Sequence, residues 1–344
     1  MSHQPRPLRI IQAGLGGFGR SWADVVRVDG VERVAVVDPA PEARDWAVAT
    51  LGLGADRCFA TLDEALKKVP ADAVLIVTPP ETHHQLAKTA LAAGKHVLTE
   101  KPLVTTLDAA RDLVGASAAA HRILMVSQNY RFRPAAMAVR EYLANDVIGA
   151  LTAVRVRCLR DMRGRYAADN FRYLMRHPFV VDMSIHHFDL LRAVTGLEVE
   201  SIYARGWRVP DSPFRYDPAV SALLTLNNGA TVTYDGDWAS VGMETSWNGE
   251  WEFTGERGRL RWTGVPDDAM DGSLTLLRPG SDPEMLPVPP LATADRVGAL
   301  AAFRDAVASG EEPATSARDN IRSLAIVLGC IASIETGQVI SPGA

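Results

Sequence analysis

The stretch Leu8-Arg9-Ile10-Ile11-Gln12-Ala13-Gly14-Leu15-Gly16-Gly17-Phe18-Gly19-Arg20 passes from an apolar run straight into a cluster of glycines. Leu8 to Ala13 reads as a buried strand, and a helical pattern is predicted from about Phe18 to Val28. The glycines at 14, 16 and 19 stand in the GxGxxG spacing, between a strand and a helix as that pattern requires. The spacing serves a tight turn, a backbone near enough to touch a pyrophosphate, and close helix–strand packing. Free N–H groups at the helix start would then meet the phosphates. Gly14, Gly16, Gly17, Phe18 and Gly19 are therefore predicted to bind a dinucleotide. A second apolar run, Val31 to Val37, ends in Asp38, about 20 residues beyond the last glycine, where an acid accepts hydrogen bonds from a ribose diol. Pro39 and Ala40 follow, with no adjoining Arg or Lys to neutralise a 2′-phosphate, which favours NAD over NADP. Asp38 is equally suited to cap the helix expected from Pro41.

Working outward, strand and helix signals alternate through the first third of the chain. Ala73–Val77, His96–Leu98 and Ile123–Val126 are further apolar runs. Helical stretches are predicted at 41–51, 61–67, 82–93 and 106–119, with Thr61 as a cap and Gly94 as a stop. Continuous apolar strands between amphipathic helices indicate a parallel sheet covered on both faces. Near residue 128 the pattern changes. Leu151–Leu159 alternates as a half-exposed strand does. More strand candidates follow without helices between them, and Asn227-Asn228-Gly229 reads as a hairpin turn with positive φ. Two helices close the chain, at about 294–308 and 317–336. The expected fold class is α/β: a Rossmann doubly wound parallel sheet in residues 1–127, then an α+β domain with a large, predominantly antiparallel sheet in residues 128–344.

A length of 344 residues exceeds one ordinary core and supports two domains. The 47% hydrophobic and 22% charged content is that of a soluble globular protein. A net charge of −5, without a Lys/Arg-rich block, argues against nucleic acid as a partner. The start lacks the pattern of a secretory signal, and no apolar run is long enough to span a membrane. Three scattered cysteines fit a reducing compartment and show no metal-ligand spacing. The expectation is a cytoplasmic enzyme with a small-molecule substrate and no metal.

Ligands of open parallel sheets bind at the carboxyl ends of strands. Those ends carry Gly14, Asp38, Thr78-Pro79 and Glu100-Lys101. An ammonium group in such a crevice loses hydration unless an anion or a developing oxyanion accepts from it. Farther on, the segment 180–191 has helical periodicity and places Asp182 and His186 four apart on one face, with Asp189 three beyond. Histidine suits proton transfer near neutral pH. The alternative for His186 or His187 is a buried ring bonded to a backbone carbonyl. A zinc site is disfavoured because only one helix offers ligands.

The run TPPETHHQLAKTALAAGKHVLTEKPL, together with NYRFRPA, VVDMSIHHFDLLRAVTG and AIVLGCIASIETGQVI, resembles the Gfo/Idh/MocA family, typified by glucose–fructose oxidoreductase and inositol dehydrogenase. The matches run in order over essentially the whole chain. The resemblance implies oxidation or reduction at a hydroxyl-bearing carbon of a sugar, polyol or related alicyclic compound. It implies that Lys101 touches the reacting oxygen, that Glu100 helps hold the nicotinamide half, and that Pro102 has an unusual peptide geometry. It also implies that Thr78, Pro79 and His83 form the cofactor-side turn, and that Asp182 and His186 form the family's acid–histidine pair with His186 as proton acceptor. A homodimer or homotetramer through the open face of the second sheet is likewise implied. Two departures stand out: Ser184 replaces a common glycine, and Arg176-His177-Pro178-Phe179 replaces a glycine-rich run.

Arginines crowd positions 155 to 176. Most read as a solvated or intersubunit surface, with Arg160, Arg163 and Arg176 as candidates for clamping a carboxylate or phosphate of the substrate. Trp207, Trp238, Trp247, Trp251 and Trp262 read as core or interface packing rather than sugar stacking. Two rival readings remain: a dinucleotide-binding sensor without turnover, and an elimination-type glycosidase that retains its NAD.

Overall fold

A computed structural model describes residues 6–270 and 272–343. The chain divides into two compact units. One is built from the residues up to Asn129 together with Thr293–Ile321, and the other from Tyr130–Ala292 and the chain from Arg322 onward.

The first unit holds six strands: β1 (Leu8–Ala13), β2 (Val31–Val37), β3 (Cys58–Phe59), β4 (Ala73–Ile76), β5 (His96–Thr99) and β6 (Leu124–Val126). They form one sheet in the order β3-β2-β1-β4-β5-β6, all parallel. Every residue of β4 is buried, as its unbroken apolar sequence demands of a strand covered on both faces. The crossovers are α1 (Gly17–Arg20), α2 (Pro41–Leu51), α3 (Leu62–Lys68), α4 (Pro80–Ala92) and α5 (Leu107–Ala120). Thr61 and Thr106 cap α3 and α5, accepting from Glu64 N and Ala109 N.

The first helix is much shorter than the predicted 18–28. After Arg20 the chain runs on through turns into a 3-10 segment at Val25–Arg27, and Arg33 on β2 donates to the carbonyls of Trp22 and Ala23 at 2.9 and 3.4 Å.

In the second unit, α6 (Pro134–Ala144) leads to β7 (Leu151–Leu159). Next come α7 (Phe171–Leu174), a π-helical turn over Phe179–Ser184, and α8 (Ile185–Thr195). Strands β8 (Val199–Trp207), β9 (Ala219–Leu226), β10 (Thr231–Asp237), β11 (Glu250–Gly255), β12 (Arg259–Thr263), β13 (Ser273–Leu277) and β14 (Glu284–Leu286) complete an eight-stranded sheet. Its order is β14-β13-β12-β11-β7-β10-β9-β8, antiparallel except for the parallel β7–β10 pair. Gly229 turns the β9–β10 hairpin at φ +85°. The remaining helices are α9 (Asp295–Ser309), in the first unit, and α10 (Ala317–Thr336), whose residues from Arg322 onward belong to the second.

Alternation sorts the second sheet into two faces. Val154, Val156 and Cys158 of β7 are buried with Trp238, Trp251, Phe253 and Trp262, and Trp251 stacks on Trp262 at 5.9 Å. On the other face Arg155 and Arg157 pair with Glu252 and Glu250, their register neighbours on β11, at 2.9 and 2.7 Å. Trp207, by contrast, is exposed on β8.

The inner face also fixes the π turn. A Cβ at Gly236 of β10 would stand 2.1 Å from the Phe179 ring, so only glycine lets that ring seat where it does.

Candidate active site

Within the first unit, the strand ends carry the residues predicted to bind a dinucleotide. Gly14 sits at φ +98°, and a Cβ there would lie 2.2 Å from the Val77 carbonyl oxygen. One at Gly19 would lie 2.3 Å from the Gly14 oxygen. These two glycines press the turn against its own protein neighbours. Gly16 and Gly17 have nothing within 4 Å of an added Cβ, and Phe18 is exposed. A turn sealed on one side and bare on the other fits a pyrophosphate approaching backbone amides.

Asp38 closes over this turn. Its Oδ2 accepts from Leu15 N at 2.7 Å and its Oδ1 from Ala40 N at 3.0 Å. The guanidinium of Arg44, one turn into α2, donates to the carbonyls of Asp38 and Pro39 at 2.7 and 2.9 Å. Sequence adjacency gave no sign of this cation.

At the end of β4, the hydroxyls of Thr78 and Thr82 lie 2.6 Å apart, and Thr82 also donates to Pro79 O at 2.8 Å. His83 is buried, with Nδ1 2.8 Å from Pro102 O and Nε2 2.9 Å from Thr78 O. Burial lowers its basicity, against the pull of those carbonyls. Both ring nitrogens are thus engaged by protein, and His83 ties the Thr78 turn to the loop after β5. In that loop Lys101–Pro102 is a cis peptide.

Glu100 is buried beside it. Its carboxyl accepts from Trp22 Nε1 at 3.1 Å and from Lys101 N at 3.2 Å. Burial pushes its pKa up to about 7, opposed by the charge of Lys101.

In the second unit, Asp182 belongs to the π turn and His186 to the first turn of α8. A π turn advances each residue by a smaller rotation than the α-helix. Four steps across the junction therefore bring His186 nearly over Asp182. Ser184 supports the turn: its hydroxyl donates to Phe179 O at 3.2 Å, five residues back, and lies 2.9 Å from Tyr234 Oη. The departure from a glycine at 184 thus has a bonding role.

Asp182 Oδ2 accepts from Arg172 Nε at 2.7 Å, and Arg172 lies over the rings of Phe171 and Tyr166. His186 stacks on Tyr130, with centroids 4.2 Å apart and planes 11° apart.

The neighbouring candidates are occupied otherwise. His187 is fully buried between Tyr234 Oη at 2.8 Å and Trp247 O at 3.0 Å, and burial pushes its pKa down to about 4. It is the carbonyl-bonded histidine of the alternative reading. Asp189 accepts two bonds from Arg131, at 2.5 and 2.6 Å, and one from Ser323 at 2.7 Å.

The three nominated arginines all engage carboxylates. Arg160 is fully buried over Trp247 and bonded to Asp267 and Thr245 O. Arg163 grips Asp161 with two bonds at 2.7 and 2.8 Å. Arg176, largely exposed, pairs with Glu335 at 2.8 Å. Sequence reasoning passed over Arg172, which holds Asp182, and gave no role to Tyr130 or Arg133 of the NYRFRPA run. That run was the available signal.

Comparison with known proteins shows the family of the chain. Residues 8–128 match a family model described as an oxidoreductase family with NAD-binding Rossmann fold, and residues 136–261 match the GFO/IDH/MocA C-terminal domain. The chain is 31% identical to D-apiose dehydrogenase of Paraburkholderia graminis, over 95% of this chain and 88% of that protein. It is 27% identical to 1,5-anhydro-D-fructose reductase of Ensifer adhaerens, over 94% and 96%. An oxidoreductase from Agrobacterium radiobacter, crystallised with NAD+, L-tartaric acid and magnesium, shares the fold with a TM-score of 0.85 at 24% identity, over 98% of both chains.

Proposed function

The chain belongs to the Gfo/Idh/MocA family of NAD-binding oxidoreductases, and on that premise we propose that it moves a hydride between nicotinamide and a hydroxyl-bearing carbon of a sugar, polyol or related alicyclic compound. The observation that carries this reading is the placement of His186 one turn beyond Asp182, an acid that Arg172 holds at 2.7 Å.

Bound nicotinamide supplies the hydride acceptor or donor. His186 removes the hydroxyl proton of the substrate. Lys101 stabilises the forming alkoxide, where a cation counts most in a site kept dry. Asp182, held by Arg172, orients the imidazole. Gly14, Gly16, Gly17, Phe18, Gly19, Asp38, Thr78, Pro79 and Glu100 hold the cofactor, with His83 fixing two of the loops. NAD is preferred over NADP, because a 2′-phosphate would face the Asp38 carboxylate. The enzyme works in the cytoplasm as a homodimer or homotetramer. The open sheet face, with Tyr203, Trp207 and Leu223 exposed among ion pairs, supports that assembly.

The test is a panel of sugars and polyols followed at the NADH absorbance with wild type and Lys101→Met. At least one alcohol should reduce NAD with wild type, and the variant should lose turnover while binding NAD within about threefold. Retained turnover in the variant refutes the role of Lys101. Turnover without NADH release would point to the elimination chemistry instead.

A further inference from the structure

Tyr130 carries two planar groups at once. The imidazole of His186 lies parallel to its ring at 4.2 Å, and the guanidinium carbon of Arg133 lies 3.3 Å from the same centroid. Two groups of that size cannot share one face of a phenol at those distances without overlapping. They therefore occupy opposite faces, and the three form a stack in the order guanidinium, phenol, imidazole. The far end is anchored: Arg133 is buried and donates to Asn248 Oδ1 at 2.5 Å, and Asn248 donates on to Ala269 O at 3.1 Å.

Both faces of an aromatic ring carry negative potential. A guanidinium on one face draws on that potential and leaves less for a second cation on the other. An imidazolium at His186 would thus stand at the end of a stack already holding a positive charge, whereas a neutral imidazole keeps the full contact. Charged and titratable neighbours on the same helical segment have partners of their own. Asp182 favours the imidazolium but is paired with Arg172, Asp189 is paired with Arg131, and His187 is held neutral by burial.

We propose that Tyr130 and Arg133 are positioning residues that fix the plane of the His186 ring and hold it in the neutral, proton-accepting form. The inference rests on His186 being the acid–base group, with the Lys101 charge brought to the same alcohol by that reading.

The test follows the His186 imidazole by NMR in histidine-labelled resting protein, its signal assigned by His186→Asn. In Arg133→Met the titration midpoint moves to higher pH, corresponding to a roughly tenfold gain in proton affinity, and Arg133→Lys restores most of the wild-type value. Tyr130→Phe keeps the ring and with it the stack, so its midpoint stays closer to wild type than that of Tyr130→Leu. Tyr130→Leu removes the stack and lowers kcat at least about tenfold while the KM for the alcohol stays within about threefold. Should Arg133→Met fail to fold, the two Tyr130 variants and Arg133→Lys decide. An unchanged midpoint in Arg133→Met, or a Tyr130→Leu enzyme with wild-type kcat and midpoint, overturns the proposal. Full turnover in His186→Asn would defeat the acid–base reading separately, since the titration is read without catalysis.

Discussion

Arg172 Nε meets Asp182 Oδ2 at 2.7 Å, so the acid one turn before His186 is already committed to a cation. The pair is part-exposed, and its value lies in setting local charge rather than in stability. Replacing Arg172 with Met removes that cation from beside Asp182, whose charge then favours the imidazolium more strongly. The acidic limb of the kcat/KM profile should move to higher pH, and kcat near neutrality should fall about tenfold. Arg172→Lys should recover part of both. If only thermal stability drops while the limb stays put, Arg172 does no more than pack against Phe171 and Tyr166.

His187 makes a different prediction, about folding. Burial holds its pKa at about 4, against an ordinary value of 6.5. Above pH 6.5 both folded and unfolded chains carry it neutral. As pH falls from 6.5 toward 4 the unfolded chain binds a proton that the folded chain refuses, and stability drops through that window. The loss attributable to this group is at most about 3 kcal/mol. His187→Gln should be less stable than wild type by about 2 kcal/mol at pH 8, since Tyr234 and the Trp247 carbonyl lose a shaped partner. Urea unfolding at a series of pH values should then show the gap narrowing on acidification. A gap that stays constant down to pH 4.5 would acquit His187.

The first sheet was legible because each of its signals is local: apolar runs, threonine caps and a Gly-rich turn with its helix. What escaped depends on distance. Arg33 reaches back from β2 to two carbonyls beyond α1, and the parallel β7–β10 pairing joins strands over 70 residues apart. The π turn rests on a hydroxyl, Ser184, and on a glycine, Gly236, in a strand not adjacent in sequence. Spacing alone nominated Asp182 with His186, yet could not show that His187 and Asp189 have structural partners. Counting arginines named Arg160, Arg163 and Arg176, and missed that each already has a carboxylate while Arg172 holds the acid beside His186.

Gly236 converts that long-range dependence into an experiment. A methyl group there meets the Phe179 ring, which is itself wedged among Trp238, Tyr234 and His187. Gly236→Ala should cost about 1–3 kcal/mol by urea denaturation, as overpacking does in a full core. Because Phe179 opens the turn that carries Asp182, kcat should fall as well, by about tenfold or more. Adding Phe179→Leu should relieve the clash and return most of the stability. An alanine variant with unaltered kcat would show that the turn is positioned by something other than this contact.

Cofactor preference turns on Asp38 and on a cation that adjacency in the sequence conceals. The Asp38 carboxylate is held by two backbone amides, and a 2′-phosphate placed at the ribose would meet its charge at close range. Arg44 already stands beside the Asp38 and Pro39 carbonyls. Asp38→Ser keeps a small hydrogen-bonding side chain before α2 and removes the repelling charge. The ratio of kcat/KM for NADP to that for NAD should rise at least about tenfold, with Arg44 free to pair with the phosphate. Arg44→Ala in the serine background should cancel most of that gain while changing NAD use little. A ratio unmoved by the Asp38 change would place the ribose away from this carboxylate, and a gain that survives loss of Arg44 would assign the phosphate to another cation.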